Sequence, residues 1–226
     1  MPDYKTCAQF VDGPNGRLFT LRVSPRSRPR CRVLMVAPLA EEMNKSRRVM
    51  VSCARSLALS GCEVLIFDPS GTGDSAGDFG DVSWAMWTQD LAWVTDWFER
   101  EVVADCTVLV AIRAGLLLVP DIFGGGQDPR CLIAWQPVFS GSTYLQQWLR
   151  LRIMSSRFTG QNESLKDLRA AFEQGESVEV GGYTITPELA NALGDITLVG
   201  DEFAGTPVRI FEIKPGGGEL TMPTAK

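Results

Sequence analysis

Apolar residues in this chain fall into short continuous runs separated by polar, glycine-containing connectors. CRVLMVAP (31–38), CEVLIFD (62–68), CTVLVAI (106–112) and CLIAWQPV (131–138) show no alternation, which predicts strands buried on both faces, and PVRIFEI (207–213) predicts a last strand. Ahead of them, CAQFVDGPNGRLFTLRV (7–23) has two shorter runs around an Asn-Gly turn signal and predicts a β-hairpin. Between strands the period changes. After Ser46, expected as an N-cap, the apolar positions Val49, Cys53 and Leu57 recur at every fourth residue until Gly61. A second helix is expected at about 84–102, with Trp84, Trp87, Leu91, Val94 and Phe98 on one stripe and Trp93 and Trp97 beside it. Strands alternating with helices predict right-handed crossovers and a mainly parallel α/β sheet with helices on both faces.

The texture differs between the last two strands. Residues 141–205 hold an amphipathic segment, YLQQWLRLRIM (144–154), a capped helix from Ser164 to Gly175, a hairpin turning at Gly181-Gly182, and a helix with Thr186 at N-cap and Pro187 at N1. An excursion placed there is expected to form a small cap over the carboxyl edge of the sheet, the edge where open α/β sheets bind ligands. The whole of 1–226 reads as one domain carrying that insert.

Composition adds exclusions. The 226 residues include six Cys and no His. Without imidazole the chain by itself assembles neither a Ser-His-Asp nor a Cys-His centre, nor a His-bound catalytic zinc. The cysteines form no C-x-x-C pair and read as buried thiols, so no metal or cofactor is expected. Net charge is -5. Residues 1–60 carry 11 Lys/Arg against 4 Asp/Glu, dominated by SPRSRPRCR (24–32). That stretch lacks interleaved aromatics and reads as a solvated connector, which argues against a nucleic-acid partner. No signal-peptide pattern and no apolar run of membrane-spanning length is visible, so a cytoplasmic location is expected.

The hairpin, the buried strands, the D-x-x-G-x-G-x-S loop at 68–75 and the sharp strand-turn-helix at 106–115 resemble the α/β-hydrolase superfamily. Within it, APLAEEMNKSRR (37–48), DPSGTGDSAGDFGDVSW (68–84), AIRAG (111–115) and WQPVFSGSTYLQQWLRLR (135–152) look like the exosortase A system-associated hydrolase 2 family. The resemblance covers much of residues 31–152. It implies an α/β-hydrolase-like sheet with an N-terminal antiparallel hairpin, and a bacterial cytoplasmic protein tied to surface-protein sorting and exopolysaccharide export. It further implies activity on acyl esters or thioesters.

In the superfamily G-x-S-x-G places a nucleophilic serine on a strained elbow. The matching pentapeptide here is Ala111-Ile112-Arg113-Ala114-Gly115. A guanidinium that stays protonated cannot attack a carbonyl, so ordinary acyl-enzyme chemistry is not expected at that position. Two readings follow. In one, an atypical hydrolase uses Glu41 or Glu42 as general base toward water. In the other, a catalytically silent fold binds a small anionic or acyl-containing molecule through Arg113, or a partner protein through the cap.

Lys45, Arg47 and Arg48, expected in the loop after the third strand, would approach the same edge. Asp68, Asp74 and Ser75 from the Gly/Asp-rich loop, and Trp135 and Gln136 at the end of a strand, complete the candidate ligand-binding set. Each has a structural alternative. Arg113 is open to ion pairing with Asp68, Asp74, Glu41 or Glu42, and the glycine-rich loop to serving as a turn scaffold. Tyr144, Leu145, Trp148 and Leu151 read as a cap helix, a lid or an interfacial segment.

Overall fold

The computed structural model describes residues 3–122, 130–158 and 162–213. Residues 1–2, 123–129, 159–161 and 214–226 of the expected domain lie outside the described residues. The hairpin is formed by β1 (Tyr4–Gly13) and β2 (Gly16–Pro25), in register from Tyr4 opposite Pro25 to Gly13 opposite Gly16. The parallel strands are β3 (Cys31–Val36), β4 (Cys62–Phe67), β5 (Thr107–Ile112) and β6 (Arg130–Trp135). Two helices interleave with them, α1 (Ala40–Leu59) and α2 (Trp84–Glu101).

The segment after β6 folds as α3 (Gly141–Phe158), α4 (Leu165–Glu173), a small hairpin of β7 (Val178–Val180) and β8 (Tyr183–Ile185), and α5 (Pro187–Gly194). The chain then returns as β9 (Val208–Phe211). The sheet order is β1-β2-β4-β3-β5-β6-β9, with β2 antiparallel to β4 and every later pair parallel.

Alternation along the central strands divides the core between the two faces of the sheet. Val33, Met35, Val64, Ile66, Val110 and Ile112 pack under α1 with Met43, Met50, Ala54 and Ala58. Leu34, Val36, Leu65, Phe67, Leu109 and Ala111 face the other way, against Trp87, Leu91, Val94 and Phe98 of α2 and Tyr144 and Trp148 of α3. Ser83 caps α2 by accepting from the Met86 amide at 3.2 Å. Ser164 and Asp167 form a reciprocal capping box on α4, and Thr186 caps α5 ahead of Pro187.

The first helix departs from expectation. It begins at Ala40, six positions before Ser46, with Leu39 at N-cap and no side-chain cap. Its buried stripe is Ala40, Met43, Met50, Ala54 and Ala58, whereas Val49 is exposed and Cys53 and Leu57 are half-buried. Ala54 and Ala58 seat the helix close on the sheet, and small residues of this kind carry little weight in an apolar periodicity. Lys45, Arg47 and Arg48 therefore sit on α1 and not in a loop.

Candidate active site at the carboxyl edge of the sheet

β5 ends at Ile112, and Arg113 turns the chain with φ at 52°. A non-glycine residue rarely takes that left-handed conformation, and holding it requires surrounding structure that over-determines the turn. Gly115 supplies part of that structure. A Cβ at 115 would lie 2.4 Å from the carbonyl oxygen of Ala37, so only glycine lets the turn press against the end of β3. The connection leaving β6 returns to the same point, where the Val138 amide donates to the Arg113 carbonyl at 3.2 Å. Beyond the turn the chain makes two short 3₁₀ segments, Arg113–Leu118 and Pro120–Ile122, where the resemblance to the α/β-hydrolase superfamily implies a helix whose N-terminus would favour an anion. The anion-favouring helix terminus expected behind Arg113 is correspondingly weak.

α1 opens at this edge, with Glu41 and Glu42 in its first turn. Arg113 donates from Nε and Nη2 to Glu42 Oε1 at 3.3 and 3.2 Å. Arg113 Nη1 has no hydrogen-bond partner among the described residues, and Glu42 Oε2 is buried without one. Lys45 pairs with Glu41 one helical turn away at 2.7 Å, and that attraction raises its pKa. Glu41, Glu42, Lys45, Tyr144, Gln147, Trp148 and Leu151 together line a cleft of about 200 Å³. Tyr144 donates its hydroxyl to the Leu39 carbonyl at 3.3 Å. Burial, followed by the nearby Glu42 charge, pushes the Tyr144 hydroxyl well above the usual phenol range. It therefore stays a neutral donor at every physiological pH.

The other candidate residues are held elsewhere. Asp68 is buried, accepts from Arg47 Nη2 at 2.7 Å and receives the Asp74 amide at 3.0 Å. Ser75 donates to the Asp68 carbonyl at 2.5 Å and accepts the Phe19 amide at 2.8 Å, which leaves its hydroxyl committed to tying the loop to the hairpin. Asp74 and Arg48 are exposed and do not line the cleft. Gln136 accepts the Ile213 amide at 2.7 Å and fastens the end of β9, while Trp135 packs on the α1 side of the sheet. Glu41, Glu42 and Lys45 thus line one cleft, with Arg113 paired to Glu42, whereas Arg48, Asp68, Asp74, Ser75, Trp135 and Gln136 do not line it. Gln147 joins the cleft with no signal in the sequence. Tyr144, Trp148 and Leu151 were legible only as a helical stripe.

Among the described residues no group of three or more Cys, Asp or Glu side chains is gathered to hold a metal ion, and no helix is long and apolar enough to cross a membrane. Chemically, the cleft offers the Glu41 and Glu42 carboxylates, the Lys45 ammonium and an apolar wall of Trp148 and Leu151, while Arg113 is not among its lining residues and stands behind Glu42 as its ion-pair partner.

The strand order, the left-handed turn after β5 and the helices on both faces define an α/β-hydrolase fold. Est1E of Butyrivibrio proteoclasticus, solved with ferulic acid bound, superposes with a TM-score of 0.62 at 18% identity, over 90% of this chain and 77% of that one. Mouse alpha/beta hydrolase domain-containing protein 10 matches with a TM-score of 0.60 at 17% identity, over 90% of this chain and 76% of that one. XC6422 of Xanthomonas campestris, an α/β serine hydrolase without lid, is 24% identical, with a TM-score of 0.49 over 59% of this chain. The chain spans 62% of the length of XC6422. No family model and no curated protein matches the sequence.

Proposed function

We propose that this chain is an α/β-hydrolase-fold binding protein that does no acyl-enzyme chemistry, and that its cleft takes a small carboxylate- or phosphate-bearing molecule with an apolar portion. The observation that carries this reading is Arg113 at the elbow, where a nucleophile would stand, with its side chain committed to Glu42. A guanidinium has no lone pair to offer a carbonyl, but its free Nη1 edge can fork onto an oxyanion. Trp148 and Leu151 would receive the apolar part, and the segment from α3 to α5 would act as the cap. The resemblance of four sequence segments to the exosortase A system-associated hydrolase 2 family supports a bacterial cytoplasmic setting beside that export system.

A melting-temperature titration with short acyl carboxylates and acyl phosphates tests the reading, because a ligand bound only by the native state raises the transition by mass action. Wild type should shift with ligands that carry both groups, and Arg113→Ala should not. An equal shift in the variant would remove Arg113 as the receptor.

One observation favours a second reading. Glu42 lines the cleft with its side chain 36% exposed, so its carboxylate is within reach of a cleft water, as a general base would require. Hydrolysis of p-nitrophenyl esters or acyl thioesters above background, lost in Glu42→Gln, would establish that reading. Identical rates in the two proteins would dismiss it.

A further inference from the structure

We infer that the outer face of α3 is a docking surface for an anionic lipid bilayer. Burial falls steadily along one stripe of this helix: Tyr144 and Trp148 are 4% exposed, Leu151 is 43%, Met154 is 60% and Phe158 is 91%. At about 100° per residue, Leu151, Met154 and Phe158 project within a sector roughly 60° wide. From Tyr144 to Phe158 the stripe is roughly 21 Å long. It starts inside the cleft and ends on open surface. Isolated exposed apolar side chains need no explanation, but three on one face, continuous with a buried aromatic pair and interrupted by the uncharged Gln147 and Ser155, form a patch of the kind that marks an interaction site.

Charge decides the kind of partner. Arg150 and Arg157 lie along one border of the stripe, both are exposed, and neither has an ion-pair partner among the described residues. The neighbouring Arg152 is neutralised by Glu163 at 2.7 Å. An apolar sector bordered by unpaired arginines is the pattern of a helix that lies in a membrane interface, with its apolar side chains among the acyl chains and its guanidinium groups at anionic headgroups. The chain as a whole is negatively charged, at -5, and would be repelled from such a surface at long range. Screening at physiological salt confines each charge to about 8 Å, so the arginines beside the stripe govern attraction at contact. A bilayer under α3 would also give an amphiphile an apolar path along Met154 and Leu151 to Trp148. This inference does not depend on what the cleft binds.

Co-sedimentation with vesicles tests it. Wild type should partition onto vesicles of phosphatidylcholine containing 30% phosphatidylglycerol, and far less onto phosphatidylcholine alone, with binding falling as salt rises. Each Arg→Gln change at 150 or 157 should weaken binding by about fivefold, in proportion to the contribution of one basic residue near an anionic surface. Met154→Ser with Phe158→Ser should abolish it. All four positions are exposed, so the variants should keep the wild-type melting temperature, which the same samples report. Absence of vesicle binding, equal binding to neutral vesicles, or binding unaffected by the variants would overturn the proposal. So would a wild-type dimer in size-exclusion chromatography that Phe158→Ser dissolves, because the face would then be a contact between copies. Failure here leaves the cleft reading standing, because no cleft ligand enters the assay.

Discussion

Arg113 and Glu42 meet where β5 and the start of α1 converge, with the guanidinium Nε and Nη2 both directed at one carboxylate oxygen. The backbone at Arg113 takes a left-handed turn, the conformation that a nucleophile elbow uses, and the side chain carried there is a cation. Both partners are about one-third exposed, at 31% and 36%, so the pair adds at most about 1 kcal/mol to stability. Its interest is in what it places at the site.

If the elbow is held by its fit against β3, Gly115→Ala should be costly although it adds one methyl group. The new Cβ would meet the backbone oxygen of Ala37 at 2.4 Å, and backbone cannot swing aside as a side chain can. We expect a loss of about 3 kcal/mol in urea unfolding. A loss below about 0.5 kcal/mol would show that the turn is free to move.

The Arg47–Asp68 pair should respond asymmetrically. Asp68 is 1% exposed and Arg47 is 32% exposed. Arg47→Ala strands a buried carboxylate and should cost about 3–5 kcal/mol, whereas after Asp68→Ala the arginine can turn to water and the cost should be smaller. Equal losses in the two variants would contradict this account of the loop anchor.

The carboxyl group of Glu99 titrates below its usual range: burial pushes it up, but hydrogen bonds and charge from Arg130, with a hydrogen bond from Thr107, outweigh burial. A folded-state pKa below the unfolded value of about 4.3 means that the stabilisation is present above that pH and is lost as pH falls through the folded value. Unfolding free energy should therefore drop on acidification from about pH 5, with a shallower slope in Glu99→Gln. Parallel curves for the two proteins would exclude Glu99 as a contributor.

Cys31 and Cys62 begin neighbouring strands, and their sulfurs stand 3.1 Å apart. Burial first, and then the Cys62 thiol, push the Cys31 thiol up to about 12. Alkylation by iodoacetamide at pH 8 should consequently label the exposed Cys7 well before Cys31, as read by peptide mass spectrometry. Rapid labelling of Cys31 would contradict a protonated thiol; it is half-buried, as are Cys53, Cys62, Cys106 and Cys131, and not enclosed as the sequence suggests.

Much of the fold was legible because the physics that builds it is local. Continuous apolar runs gave β3 to β6, the Asn-Gly signal gave the hairpin, and Ser164 and Thr186 announced their helices. The start of α1 was hidden because its N-cap is Leu39, whose side chain has no oxygen to accept a helix amide, and Ala40 enters at φ 51°. The fourfold repeat of Val49, Cys53 and Leu57 then pointed to the wrong face. At the site, Glu42 was one of four candidate partners for Arg113, and only the placement of α1 selects it. Asp68 and Ser75 matched a motif, but their hydrogen bonds tie the loop down. Trp148 carried no chemistry in sequence and becomes a cleft wall only where α3 and the start of α1 flank the same cleft.

The most direct test of the central claim is covalent trapping. The 226-residue chain would be incubated with an alkyl fluorophosphonate, which phosphonylates activated serines, and its intact mass would be measured for wild type and Arg113→Ser. The account predicts no added mass on wild type, because the elbow carries no nucleophile. It also predicts none on Arg113→Ser, because a serine at 113 would find no imidazole in this chain to take its proton. A stoichiometric adduct on any serine of the wild-type protein would contradict it.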